Sequence, residues 1–447
     1  MKKVLIITYY YPPMQAAGSY RLVSFAKYLP KYGFDSVIIA PALNRRTWLG
    51  YQDPDMEINE QQVVRLPALH VGALARCMLG KRLSGYQKTI TEFRSDNANI
   101  LKKSLGYIYD ELLTFPDPEW PWFLIGGPKA LRVARQIRPS VILSSALPFT
   151  SHLIAAYISR RLKIPWVADY RDLWSQNHLR HRSKIPQQFS FSLEKRALRN
   201  CSAVTTVSYP LAQDLGNLFD IPVHVVTNGF DKDLYEGFDS SLTAGWKDYR
   251  MNIVYTGLIY PEKRDPSPLF QAIQLLHQEG AIKKGDLKIR FYGPNSDILQ
   301  GIHSFQSVES FVELYGPIPH RQALSCQSHA DLLLFLEWND STEKGVFTTK
   351  FFEYLGAGKP ILAVGPPGGV VDQALAETGM GVLEADPRKL ASILTCFMQS
   401  GSLQEDGVPH AVDPDHLNKY TREYQAGVLA EVLENVIKET ESTCASS

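Results

Sequence analysis

The sequence predicts an α/β protein of two doubly wound, parallel-sheet domains facing a cleft. Three observations carry that prediction. Apolar runs of strand length recur along the 447 residues, nearly continuous rather than alternating, as strands covered on both faces are. Segments of helical period separate them, which is the grammar of βαβ units. The series then starts afresh near residue 251, after the polar stretch "DKDLYEGFDSSLTAGWKDYR".

The elements follow in order. "KKVLIITYY" is the first strand, and the loop "YPPMQAAG" leads into "SYRLVSFAKYLPKYG". There Leu22, Phe25, Ala26 and Leu29 share a helical face, with Ser19 as N-cap and Gly33 as stop. "DSVIIAPA", "PSVILSSALP", "IPWVADYRD", "CSAVTTVS" and "VHVVTNGFD" are the further strands of the first series. The second series has "MNIVYTGLIYPEKRD", the helical "PSPLFQAIQLLHQEG", then "LKIRFYGPN", "VELYGPIPH", "ADLLLFLEW", "KPILAVGPPG" and "GMGVLEAD". The expected boundaries are a first domain over 1–232, a linker over 233–250 and a second domain over 251–415. A final helix covers 416–438, and a frayed tail covers 439–447. Such sheets bind ligands outside the carboxyl ends of their strands, beside helix N-termini.

Composition sets further bounds. The chain is 45% hydrophobic and 21% charged with a net charge of +1, which argues against a nucleic-acid binder. No apolar run is long enough to span a bilayer. "MKKVLIITYYYPP" starts like a signal peptide but is short, rich in β-branched and aromatic residues, and lacks a cleavage site, so it reads as a buried strand. The five cysteines, Cys77, Cys201, Cys326, Cys396 and Cys444, are scattered with no CxxC pair; a disulfide framework or zinc site is not indicated, and a reducing cytoplasm fits.

The stretch "GVFTTKFFEYLGAGKP", residues 345–360, is the most pointed one. It predicts a short helix from Lys350 to Gly356, capped by Thr348 or Thr349 and stopped by Gly356 or Gly358. Lys350 then stands at the positive end of the helix dipole, where a cation is mildly unfavourable. Either it is a solvated surface lysine, or an anion binds there and dipole and ammonium reinforce each other. Glu353, one turn on, is then placed to accept hydrogen bonds from ribose hydroxyls. "YPEKRD" sets Lys263 and Arg264 in the loop after a strand, where a phosphate is expected, although a turn of this kind is usually only solvated.

"ADYRDLW" puts Asp169, Arg171 and Asp172 at the carboxyl end of a first-domain strand. They could orient a hydroxylated acceptor or balance charge during transfer, or form an Arg–Asp pair that holds the loop. His152, at the start of a helix, reads as structural. No G-x-G-x-x-G follows either leading strand, so a dinucleotide cofactor is not implied. "GAGKP" is no P-loop end, because the earlier glycine falls on Glu353 and Pro360 replaces the Ser/Thr. The two "DPD" pairs, Asp53–Asp55 and Asp413–Asp415, read as turns, and no metal is inferred. "ALARCMLGKRL" (73–83) reads as an ordinary amphipathic helix, with a seat on an anionic membrane surface as the alternative.

Taken together, "TYYYPPMQAAGSYR", "PWVADYRDLW", "VVTNGFD", "VYTG", "FYGPN", "YGPIPH" and "GVFTTKFFEYLGAGKPIL" resemble the GT-B glycosyltransferases. The likeness is to the nucleotide-sugar-dependent family 4 (group 1), of the bacterial polysaccharide and lipid-linked glycan type. The resemblance implies a GT-B fold of two Rossmann-like domains, with the final helix crossing back onto the first. It implies that Glu353 holds the nucleotide ribose and that Thr348 and Thr349 meet the donor phosphates and sugar. It gives Lys263 or Arg264 the phosphate contact, Ile318 the backbone contact to the base, and Gly18 the close approach of the first domain to the donor.

Three positions depart from the pattern: Gly345 replaces a second glutamate, Leu258 an arginine, and Arg171 a histidine. The expected activity is transfer of a sugar from a nucleotide diphosphate sugar to a hydroxyl acceptor, retaining and without metal or other cofactor. The acceptor would be a glycan, polysaccharide or lipid-linked sugar. In this expectation Asp169, Arg171 and Asp172 are catalytic, and Lys350 with Lys263 or Arg264 steadies the departing diphosphate. The expected location is cytoplasmic, open to peripheral contact with the inner face of the membrane. The alternatives are a sugar-nucleotide epimerase or hydrolase of the same fold, and a non-catalytic nucleotide-sugar-binding partner in polysaccharide assembly.

Overall fold

The computed structural model describes residues 1–14, 17–42, 58–69, 71, 114–176, 184–238, 240–260, 263–294, 296–340, 345–403 and 412–446. The chain forms two compact units, Met1–Val226 with Ala426–Ser447, and Thr227–Gln425. The pair Asp53–Asp55 and the stretch 73–83 lie outside the described residues.

The first unit holds a seven-stranded parallel sheet, order β3-β2-β1-β4-β5-β6-β7. Its strands are β1 (Lys2–Ile7), β2 (Phe34–Pro41), β3 (Val63–Leu66), β4 (Val141–Ser145), β5 (Trp166–Tyr170), β6 (Ala203–Thr206) and β7 (Val223–Val225). Its helices are α1 (Ala17–Tyr28), α2 (Pro121–Ile137), α3 (Thr150–Leu162), α4 (Lys184–Leu198) and α5 (Tyr209–Leu218). Successive side chains of a strand point to opposite faces. Leu5 and Ile7 accordingly join one apolar cluster and Val4 and Ile6 another. Both faces are covered, which is why the strands read as unbroken apolar runs.

The second unit repeats the plan with six parallel strands, order β10-β9-β8-β11-β12-β13. These are β8 (Met251–Thr256), β9 (Leu287–Tyr292), β10 (Val312–Tyr315), β11 (Leu332–Leu336), β12 (Ile361–Val364) and β13 (Gly381–Glu384). The main helices are α6 (Ser267–Gln278), α7 (His320–His329), α8 (Thr349–Ala357), α9 (Val370–Thr378) and α10 (Pro387–Ser400). Leu332, Leu334 and Leu336 pack on one face, and Leu333 with Phe335 on the other. The strand order reverses between β1 and β4 in the first sheet and between β8 and β11 in the second. At such switch points the carboxyl ends of the strands leave room for a ligand.

The expected two-sheet α/β architecture stands, with different edges. The boundary falls after Val226, and residues 233–250 belong to the second unit rather than forming a linker. Their composition is polar, yet Trp246 is buried in that unit's core and Tyr235 packs against it. The last helix, α11, runs Arg422–Ser446, past the expected end at 438. "KETESTCAS" has no Gly or Pro to stop it, so the tail expected to fray is helical instead. From Ala426 onward α11 counts with the first unit, where Leu429, Leu433 and Val436 pack on the cluster that holds Val4 and Ile6. Lys2 ties its surface to Glu434 at 2.7 Å.

Candidate functional site

In the first unit, register places the polar cluster. Parallel pairing sets Asp169 of β5 opposite Ser145 of β4 and Thr205 of β6. Both hydroxyls donate to its carboxylate, Ser145 Oγ to Oδ2 at 2.8 Å and Thr205 Oγ1 to Oδ1 at 2.9 Å. Arg21 reaches over from α1 with Nη2 to Oδ1 at 2.8 Å and Nε to Oδ2 at 3.2 Å. Burial alone would raise the Asp169 pKa, but the Arg21 charge and these bonds hold it below the ordinary value. Asp169 is fully buried with both oxygens engaged. This is the geometry of a strut: an Arg–Asp pair holds this strand end, with Arg21 rather than Arg171 as the partner.

Arg171 and Asp172 follow in the loop. Arg171 donates to the carbonyls of Ala146 and Leu147. Its guanidinium lies against Gly18, where a Cβ would come within 1.8 Å of Nη1. The absence of a side chain at Gly18 is what leaves room for the Arg171 guanidinium. Asp172 is half-exposed, and among the described residues it accepts no hydrogen bond. Of the two carboxylates it is the one that a substrate could meet. His152 is buried, with Nδ1 2.7 Å from Ser144 Oγ and its ring stacked on Tyr170 at 4.8 Å. Burial pushes its pKa down to about 3, so it is neutral and structural, as expected.

The second unit builds an anion-ready corner at its switch point. Helix α8 is capped by Thr348 in extended backbone, and Gly358 at φ 68 ends it in the left-handed conformation. The Thr348 hydroxyl caps nothing and is buried without a partner. Lys350, in the first turn, lies over the Tyr255 ring at 3.8 Å from its centroid. Its amine runs beside Gly257, at φ +112 after β8, where a Cβ would sit 2.8 Å from Cε and 2.9 Å from Nζ. Burial and the neighbouring Arg264 charge push the Lys350 pKa well below the usual lysine value, against a smaller opposing pull from Glu353. Two cations beside a helix N-terminus, partly dehydrated, form a site for an anion.

The remaining expected residues group around this corner. Arg264 is buried, donates to Leu258 O at 3.2 Å and lies over Tyr260 and Trp338 at 5.2 and 5.8 Å. Lys263 is instead paired with Asp340 at 2.9 Å. Of the two basic residues, Arg264 is the one coupled to Lys350. Glu353 Oε1 accepts from His320 Nε2 at 3.0 Å. Burial would raise the Glu353 pKa, but His320 first, then the Arg422 charge and a Gln327 hydrogen bond, bring it below the ordinary value. Ile318 is half-buried two residues before His320 and packs on the second unit's core.

Two groups here escaped the sequence reading. His320 stood in the "YGPIPH" motif without a role. Glu337, in "LLLFLEW", is an acid at the end of an apolar strand, which was its only signal. It is buried, Oε1 accepts from the Trp338 N–H at 2.9 Å, and Oε2 has no partner. Burial pushes its pKa up to about 7. Among the described residues no cluster of three His, Cys, Asp or Glu is placed to hold a metal, and no helix is long and apolar enough to cross a membrane.

The fold is that of the GT-B glycosyltransferases. HepE of Anabaena, solved with UDP and glucose, superposes with a TM-score of 0.59 at 15% identity, over 97% of this chain and all (100%) of that one. Sucrose-phosphate synthase from Thermosynechococcus elongatus gives 0.62 at 12% identity, over 98% and 100%. A putative UDP-N-acetylglucosamine 2-epimerase from Listeria monocytogenes gives 0.53 at 10% identity, over 98% and 97%. Residues 19–234 match the model of Glycosyltransferase Family 4, so the resemblance read from the sequence holds for this part of the chain as a family match and for the rest as a fold. No curated protein matches the sequence.

Proposed function

We propose that this protein transfers a sugar from a nucleotide diphosphate sugar to a hydroxyl of a glycan, polysaccharide or lipid-linked acceptor, with retention and without a metal. The observation that carries this reading is the Lys350–Arg264 pair at the N-terminus of α8, with Glu353 one turn on. The diphosphate of the donor would lie against the first-turn N–H groups, the free Thr348 hydroxyl and the two cations. As the glycosidic bond breaks, negative charge grows on the leaving diphosphate, and fixed positive charge there lowers the barrier. Glu353 accepts from the ribose, and the Ile318 backbone meets the base. The leaving phosphate helps to deprotonate the acceptor, and Asp172 of the first unit orients the acceptor hydroxyl. Arg171 and Asp169 hold the loop that carries Asp172. The solved complexes of HepE with UDP and with UDP-glucose support a nucleotide donor for this fold.

An epimerase or hydrolase of the same fold is the second reading, favoured by the likeness to the Listeria protein. The family match over residues 19–234 and the half-exposed Asp172 favour transfer. Calorimetry with UDP, GDP, ADP, CMP and their common sugars tests the donor site. One diphosphate should bind saturably and be lost in Glu353→Ala. No binding to any of them would overturn the reading, and turnover of the donor with no acceptor present would favour the epimerase or hydrolase.

A further inference from the structure

His320 and Gln327 of helix α7 stand seven positions apart and therefore on one face of an α-helix. That face is turned toward Glu353 of α8. His320 Nε2 lies 3.0 Å from Glu353 Oε1, and their side chains are only 20% and 18% exposed. Gln327 is fully buried beside it and donates Nε2 to Thr256 Oγ1 at 2.9 Å. Thr256 is the last residue of β8, so the clamp is anchored to the sheet at its switch point. On the other side, Tyr235 Oη donates to the Glu353 carbonyl at 2.8 Å.

A glutamate on a helix surface ordinarily samples several rotamers, and fixing one costs entropy when a ligand binds. Here the carboxylate is held ionised and in one plane before any ligand arrives. Neutral imidazole with its proton on Nε2 and imidazolium both donate at this nitrogen, so the contact does not depend on the charge of His320. Arranged this way, the carboxylate is prepared to accept from a vicinal pair of hydroxyls, which demand a fixed acceptor direction.

We infer that His320 is a positioning residue for the ribose of the donor, acting through Glu353 and setting discrimination between ribose and deoxyribose ligands. The inference rests on the donor reading above. The test measures, by calorimetry, the affinity of a nucleoside diphosphate of the preferred base and of its 2′,3′-dideoxy analogue. Wild type should favour the ribose form by at least about tenfold, the worth of a hydrogen bond to a charged group. In His320→Ala that preference should fall to about threefold or less, with the loss on the ribose ligand. His320→Gln keeps an N–H donor within reach and should restore most of it.

An unchanged preference in His320→Ala, or equal loss of both ligands, would overturn the inference while leaving the donor site in place. Wild type that binds the diphosphate without discriminating would overturn it as well. Wild type that binds no nucleoside diphosphate would bring down the donor reading itself, and this inference with it.

Discussion

Replacing Arg21 by Met tests whether Asp169 is a strut. The substitution keeps the apolar stem over Phe25, whose ring the guanidinium covers at 4.8 Å, and removes the charge. Asp169 then loses two of its four donors and its ion-pair partner, while the Val226 carbonyl loses the Arg21 bond at 2.8 Å. Breaking a buried ion pair by removing one partner costs about 3–5 kcal/mol, because the other charge stays buried. At a urea slope of about 3 kcal/mol per molar, the first unit's unfolding midpoint should fall by roughly 1–1.7 M.

The double variant Arg21→Met with Asp169→Asn removes the stranded charge and leaves an amide oxygen for the Ser145 and Thr205 hydroxyls. It should lose less than the single variant, a coupling of about 2 kcal/mol or more. Urea unfolding followed by Trp fluorescence suits this unit, since Trp122 and Trp166 are buried in it. The pH sign is also set. The depressed Asp169 pKa gives stability that is present above the ordinary aspartate value and lost as pH falls through the folded one. In Arg21→Met that loss should begin at higher pH. A single variant within about 1 kcal/mol of wild type, or additive costs in the double, would refute the strut.

Asp172→Asn should abolish sugar transfer and leave the calorimetric affinity for the nucleoside diphosphate within about twofold, since the role proposed for the residue is toward the acceptor. Unchanged turnover would remove it from the mechanism. Gly257→Ala meets both a left-handed backbone, at φ +112, and the Lys350 amine, so it should cost about 1–3 kcal/mol and weaken diphosphate binding. Thermal melts with and without the diphosphate check both. Glu337, with its pKa raised from 4.5 to about 7, makes the second unit lose stability as pH rises between those values. Glu337→Gln should flatten that loss and gain on the order of 2–3 kcal/mol at pH 8, read from unfolding midpoints at pH 5 and pH 8. A gain equal at both pH values would contradict the assigned titration.

The strands were legible because buried parallel strands are written as unbroken apolar runs, and every such run became a strand. Val63–Leu66 escaped, since it has only four residues, is half-buried and ends in one buried leucine. The stretch 233–250 was misread because composition reports what faces water. A single Trp246 seated in the core outweighs its polar neighbours. The α8 helix and its caps came through because Thr348 and Gly358 are local signals. The partners of the charged residues did not. Arg21 and Asp169 are 148 positions apart, and His320 and Glu353 33 apart. No spacing rule links them, and only the sheet register and helix packing bring them together. "ADYRD" therefore offered Arg171 as the partner of Asp169, when α1 supplies the arginine.

Lys350 is the residue for which sequence and structure together say more than either alone. Its place in the first turn of α8 opposes the dipole, Arg264 repels it, and burial strips its water. The Tyr255 ring and the Glu353 charge offset part of this and leave the pKa well below the ordinary value. A surface lysine with no task would turn outward and regain its hydration. A diphosphate beside it reverses every sign, because the dipole, the arginine and the ammonium then all face an anion. The bound state must therefore hold the proton more tightly than the free state, and binding must take up a proton wherever the free amine is neutral. Affinity for the diphosphate should fall as pH rises from the depressed pKa of the free protein toward the ordinary lysine value. Calorimetry across that range, with Lys350→Met as the control, reads the effect directly. The variant should bind more weakly and lose that slope. A slope that survives in Lys350→Met would mean that another group titrates, and that the lysine is not where the anion sits.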